Sequence, residues 1–184
     1  WSEIRLESCV FYKKGKKPKR LETLPFTDSV PYINIEAFEK GHINQFADRS
    51  SSNLCFNNDI LVVWDGARFG LAATNQEGAI GSTLMALSPI LIQPEYLLRF
   101  IQNNFELIQQ HPKGTGIPHV NPEIFWNLKI PLPPLAEQRR IVEKLDAILP
   151  KIKAVKEKLE KMPAILKRFR QSVLAEAVSG RLTE

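Results

Sequence analysis

From Ile141 onward the apolar residues obey one rule: Leu145, Ile148, Ile152, Val155, Leu159, Met162, Leu166, Phe169 and Val173 follow at steps that alternate four and three without a miss. This is an a/d heptad seam, the pattern that keeps an apolar stripe turned toward a partner helix over more than four heptads. A solitary helix would leave the stripe wet. It must therefore be covered, either by another helix of this chain, which the preceding sequence scarcely provides, or by a second molecule. The intervening positions carry Arg139, Arg140, Lys144, Lys151, Lys153, Lys156 and Glu157 among others, so the remaining faces are solvated or lie against something acidic. Pro150 and Pro163 are expected to kink or split the helix, Pro163 being the better place for a true break. Unbroken from Leu135 to Val178 it would be about 65 Å long at roughly 1.5 Å per residue, stopping at Ser179 and Gly180.

Upstream the pattern changes. Short apolar runs at Val30–Ile35, Asp59–Trp64, Leu71–Thr74 and Thr83–Leu87 have strand character, and Gly66, Gly70, Gly78 and Gly81 punctuate them. Leu97, Ile101, Phe105 and Ile108 recur at helical spacing behind Pro94, which suits a first turn. Asn121 and Pro122 look like the N-cap and first residue of a short helix ending at Trp126. Leu128–Leu132 is extended and runs into Pro133 and Pro134, which stiffen the exit. The expected class is α+β: a mixed α/β globular domain over residues 1–134, then a long coiled-coil-forming helical region over 135–184.

The charge is unevenly laid out. Residues 1–134 hold 13 Lys and Arg against 13 Asp and Glu, whereas residues 135–184 hold 12 against 7, so the whole excess of +5 lies in the C-terminal quarter. Within the neutral part, Lys13, Lys14, Lys16, Lys17, Lys19 and Arg20 crowd around Gly15 and Pro18. Such a run cannot pack and reads as a solvated loop, either a solubilising surface segment or an arm that contacts nucleic-acid phosphates. With 43% hydrophobic and 24% charged residues, the chain is neither disordered nor collagen-like. Its longest apolar stretches, such as Ile60–Trp64, fall far short of the roughly 18 residues a membrane span needs. Trp1–Arg5 shows no secretory signal, and two widely separated cysteines, Cys9 and Cys55, favour a reducing cytosol over a disulfide scaffold.

Catalytic constellations fail on spacing. His42, His111 and His119 have no thiol or carboxylate neighbours at zinc-ligand spacing. No strand runs into a Gly-x-Gly-x-x-Gly turn that would cradle a dinucleotide or S-adenosylmethionine. Asn121-Pro122-Glu123-Ile124 lacks the second proline and the aromatic of the adenine methyltransferase loop. Asp59 and Asp65 bracket a strand as magnesium-binding acids do, but Asp59 follows two asparagines and suits a turn cap, while Asp65-Gly66 is a turn signal. What remains is a binding inventory. Arg68 and Phe69 sit at the tip of a glycine-bounded loop, where an outward guanidinium would read guanine and an outward ring would pack on a thymine methyl; alternatively Phe69 is core and Arg68 merely solvated. Lys113, Thr115 and His119 line a second glycine-rich loop that serves either as a contact surface or as a connector.

Ile130-Pro131-Leu132-Pro133-Pro134-Leu135-Ala136-Glu137-Gln138-Arg139-Arg140-Ile141-Val142, with Leu145-Asp146 after it, closely resembles the junction between target recognition domain and conserved helix in the specificity subunits of type I restriction-modification enzymes. Leu166–Leu174 and Ala177–Leu182 resemble that family's conserved region. Looser matches lie at Tyr32–Ile35 with Gly41, Asn58–Leu61, Gly66–Gly70 and Gly114–His119. The resemblance implies a noncatalytic reader of one half of a bipartite double-stranded DNA site; the basic run and the two loops supply as DNA-contact candidates Lys13, Lys14, Lys16, Lys17, Lys19, Arg20, Arg68, Phe69, Lys113, Thr115 and His119. It implies no cofactor on this chain. S-adenosylmethionine, ATP and magnesium are expected on the partners, the modification and restriction subunits. Pairing along the seam with a second copy or a second half-subunit, a prokaryotic cytoplasmic location and no membrane contact complete the expectation. A coiled-coil protein-binding adaptor and the recognition end of a fused methyltransferase-nuclease are the competing readings.

Overall fold

The structure, a computed structural model, describes residues 1–114 and 116–180. Along the chain run β1 (Glu3–Arg5), a 3-10 turn (Leu6–Cys9), β2 (Val10–Lys14), β3 (Leu21–Glu22), β4 (Ser29–Ile33), α1 (Ile35–Lys40), β5 (Phe46–Asp48), β6 (Leu54–Cys55), β7 (Ile60–Val63), β8 (Ala72–Ala73), β9 (Gly78–Ile80) and β10 (Leu84–Pro89). There follow α2 (Pro94–Asn103), α3 (Phe105–Gln110), α4 (Pro122–Trp126), β11 (Lys129–Pro131) and α5 (Leu135–Val178). The strands form an antiparallel sheet β2-β10-β7-β8, a five-stranded sheet β3-β5-β4-β9-β6 whose β4–β9 pair is parallel, and the antiparallel pair β1-β11. The expected α+β class, with a mixed domain before a long helix, is what the chain adopts.

The continuous apolar run at the centre explains how the layers meet. Successive residues of a strand point to opposite faces. In β7, Ile60 and Val62 join the cluster that includes Tyr96, Leu97 and Ile101 of α2, while Leu61 and Val63 join Ile33, Phe38 and Ile80. In the neighbouring β10, Met85 and Leu87 face the first cluster and Leu84 and Ala86 the second. Both strands are thus buried on both faces, and an alternating polar pattern would be impossible there.

Two elements end where polar side chains end them. The strand expected through Ile35 stops at Ile33 because the Asn34 side chain accepts the Ala37 N–H at 2.8 Å and opens α1. Gly41, at φ 71°, closes that helix in the left-handed conformation. The helix expected from Pro94 through Ile108 is interrupted at Asn104, whose Nδ2 donates to the Phe100 carbonyl at 2.8 Å and whose N–H reaches the Phe100 and Ile101 carbonyls.

The chain divides into two units, Trp1–Val142 and Glu143–Glu184. The first includes the start of α5. Gln138, 1% exposed, accepts the Gln93 N–H at 2.8 Å and donates to the Pro133 carbonyl at 2.9 Å. Ile141 and Val142 pack on the larger core cluster. Ile141, assigned to the helix-pairing seam by its spacing, is partly buried against the core of the first unit, because the heptad step does not say what covers a face.

In the second unit the seam is open. Leu145 is half-buried, and Ile148, Ile152, Val155, Leu159, Met162, Leu166, Phe169 and Val173 are all exposed. The break expected at Pro163 is absent, and α5 runs through both prolines. Each proline withdraws one N–H, but on a stretch so exposed the leftover carbonyl faces solvent and no buried polar group results. No helix among the described residues is long and apolar enough to cross a membrane.

Candidate nucleic-acid interface

The basic segment is more ordered than a solvated loop. Lys13 and Lys14 are the last residues of β2. Their side chains part company as strand neighbours do: the Lys13 ammonium lies 5.7 Å from the centre of the Phe56 ring, and Lys14 Nζ lies 2.7 Å from Asp65 Oδ2. Gly15 then passes so close to the Gly81 backbone that a Cβ on it would fall 2.0 Å from the Gly81 carbonyl oxygen, so only glycine fits. Its N–H donates to the Leu84 carbonyl, and Asn53 Nδ2 holds the Lys14 carbonyl at 2.7 Å. At the far end Pro18 is buried, the Lys19 N–H donates to Ser51 Oγ and the Arg20 N–H to Asp48 Oδ1. The Ser51 hydroxyl, followed by that Arg20 amide, holds the Asp48 carboxyl down to about 2. Arg20 lies over the Phe26 ring at 4.0 Å and pairs with Glu22. Lys16, Lys17 and Lys19 are left exposed, without a carboxylate partner among the described residues.

The loop after β7 divides its two tip residues. Phe69, expected as an outward ring against DNA, is 4% exposed and belongs to the core with Trp64 and Ile108. The turn closed by the Phe69 N–H on the Gly66 carbonyl and the Gly70 N–H on the Val63 carbonyl rolls the ring inward, where burial of a phenyl group is favoured. Arg68 points out and pairs through Nη1 with Glu39 Oε1 of α1.

This loop is laced to two others. Lys113 and His119 exchange backbone hydrogen bonds of 3.0 Å, the Gly66 N–H donates to the Pro118 carbonyl, and the Trp64 and Asp65 N–H groups donate to the Thr83 carbonyl. Thr115 lies outside the described residues. Asp65, Gly66, Ser82, Thr83, Ile117 and His119 line a hollow of about 550 Å³. Tyr12 stacks on Trp126 at 4.3 Å, and Trp126 stacks on Trp64 at 5.7 Å, holding the residue just before Asp65.

His119 lines this hollow itself, Lys113 is tied to the His119 backbone, Lys14 is paired with the lining Asp65, and Arg68 follows the lining Gly66 by two positions, while Gly15 is anchored on Gly81 beside Ser82. Lys19 and Arg20 stand apart, at the Asp48–Ser51 end of the basic segment. Sequence reasoning missed Ser82, Thr83 and the two carboxylates, Asp65 and Glu39, that hold Lys14 and Arg68; the only available signal was the hydroxyl pair directly after Gly81. Chemically the rim offers cations, hydroxyls and an imidazole. Among the described residues no group of His, Cys, Asp and Glu is arranged to hold a metal. Asp59 is occupied by the Phe56 N–H at 2.9 Å and the Ser88 hydroxyl at 2.6 Å, a turn cap as its context implies. Burial pushes both cysteine thiols up to about 11, far from nucleophilic.

The family described as the type I restriction modification DNA specificity domain matches residues 1–163. The chain belongs to that family. It is 34% identical over 146 residues to the type I restriction enzyme MjaVIII specificity subunit of Methanocaldococcus jannaschii, covering 78% of this chain and 34% of that protein. It is 30% identical over 190 residues to the EcoBI specificity subunit of Escherichia coli, covering 100% and 40%. Among solved structures, the HsdS subunit from Thermoanaerobacter tengcongensis superposes with a TM-score of 0.71 at 25% identity, over 98% of this chain and 45% of that one. The chain thus spans less than half the length of these relatives. The junction motif that carried the resemblance has a physical basis in Gln138, which ties the first turns of the helix to the Pro133 and Gln93 backbones.

Proposed function

We propose that this chain is a recognition half of a type I specificity subunit that reads one half of a bipartite double-stranded DNA site and does no chemistry itself. The observation that supports this reading is that Lys14 and Lys113, remote in sequence, are bonded to Asp65 and His119 in the lining of one hollow, with Arg68 two residues beyond the lining Gly66. Clustered cations release counterions from phosphates and supply affinity, while side chains at the rim supply base contacts. In this reading the open seam from Leu145 to Val173 pairs with a second copy or with the other half of a longer subunit, and helix length sets the spacer between half-sites, one DNA turn being about 34 Å. The same reading gives S-adenosylmethionine and adenine methylation to modification subunits, and ATP and magnesium to a restriction subunit, in a prokaryotic cytoplasm.

Gel-shift titration against unrelated duplexes at one salt concentration tests the reading. It requires selective retardation of duplexes that share a short sequence. An adaptor would retard none selectively, and a fused methyltransferase fragment would transfer methyl groups as the purified chain alone.

A further inference from the structure

The ion pairs Arg68–Glu39 and Lys14–Asp65 share an asymmetry. In Arg68–Glu39 the arginine side chain is 62% exposed and the glutamate 20%; in Lys14–Asp65 the lysine is 46% exposed and the aspartate 27%. In both, the carboxylate is the more buried partner and the cation the more exposed one. An exposed pair contributes little to stability, so such pairs are poorly explained as props of the fold. Their backbones are nevertheless fixed. Glu39 sits on α1, closed at its ends by Asn34 and Gly41, and Arg68 sits between Gly66, bonded to Pro118, and the buried Phe69. Glu39 engages Nη1 of a planar group with five donors, leaving the others available.

We propose that Glu39 is a positioning residue for base reading, holding the Arg68 guanidinium so that its free donors meet the O6 and N7 acceptors of a guanine. This rests on the DNA-reading function above. An unbuttressed arginine must surrender its rotamer freedom on binding, whereas a held one is already aligned, and alignment is what a bidentate base contact requires.

Electrostatics alone predicts the opposite outcome, which makes the proposal testable. Removing Glu39 takes a negative charge away from the surface that meets a polyanion, so affinity for any duplex should rise. The whole chain and its Glu39→Ala, Glu39→Gln and Arg68→Ala variants are titrated against a selected duplex and a panel carrying each single base-pair change, with thermal unfolding as the check on folding. Arg68→Ala should abolish discrimination at one guanine, about tenfold in the parent. Glu39→Ala should cut that same step to about twofold with no loss of affinity for the other duplexes, Glu39→Gln should fall between, and Arg68→Ala with Glu39→Ala should match Arg68→Ala alone. If Glu39→Ala fails to fold, the charge-only variant Glu39→Gln carries the test. A full guanine step after either Glu39 substitution overturns the proposal, as does an Arg68→Ala variant with no single-base loss while the parent still selects. A parent that selects no duplex overturns the underlying function instead.

Discussion

The two units of this chain use the same apolar residue types to opposite ends. In Trp1–Val142, Ile60, Leu61, Leu84, Leu87, Leu97 and Ile101 are at 0% exposure. In Glu143–Glu184, Ile152, Leu159 and Leu166 stand at 56%, 63% and 59% on a regular stripe. The first unit closes its hydrophobic core from its own strands and helices. The second has an ordered helix whose apolar side stays exposed among the described residues, and in the proposed function that stripe is where a partner helix pairs. The difference teaches that regular secondary structure and a finished core are separate achievements: the first unit completes both, the second only the former.

The largest effect should come from charging the stripe. A leucine contributes about 2 kcal/mol when buried, so Leu159→Glu with Leu166→Glu, present in both copies, should weaken self-association by more than about a thousandfold by sedimentation equilibrium while the urea midpoint of the first unit stays put. A parallel fall in that midpoint would erase the contrast between the units. Next, Gln138→Leu leaves the Gln93 N–H and Pro133 carbonyl without partners. It should destabilise the first unit by about 2 kcal/mol in urea with association intact, since Gln138 belongs to the first unit although it lies on the long helix. Lys16→Ala with Lys17→Ala should weaken binding to every duplex together and lower the salt slope by about 1.8, as expected for two lost phosphate contacts; a loss confined to one sequence would make them base readers. The smallest effect concerns acid. The folded Asp48 carboxyl lies near about 2, below its ordinary 3.8, so its contribution is present in full above the ordinary value and fades as pH falls toward 2. The difference in urea midpoint between the parent and Asp48→Asn should hold steady near neutrality and close between about pH 4 and pH 2. A difference that does not vary with pH would remove the carboxylate from the anchoring of the basic segment.

Much of this architecture was legible because it obeys a period. The stripe from Leu145, the buried runs of β7 and β10 and the Asn121–Pro122 helix start are local patterns that the sequence displays directly. What escaped detection depended on contacts between distant segments. Ile141 continues the heptad step yet packs on the core, since periodicity says that a face is covered and not by what. Phe69 was ambiguous in a loop of glycines until the turn at Gly66 was known. The pairing of Arg68 with Glu39 and of Lys14 with Asp65 joins positions 29 and 51 residues apart, and no spacing rule relates them. Pro163 misled in the other direction, because a proline's damage depends on whether the carbonyl it strands is buried, and here it is not.

The central claim, that the first unit's rim reads base sequence, is tested most directly by selecting a fully randomised duplex pool on the chain and sequencing what is retained. The account predicts enrichment of one short motif, with Arg68→Ala relaxing a single position of it. A retained pool with the input composition at every position would contradict it.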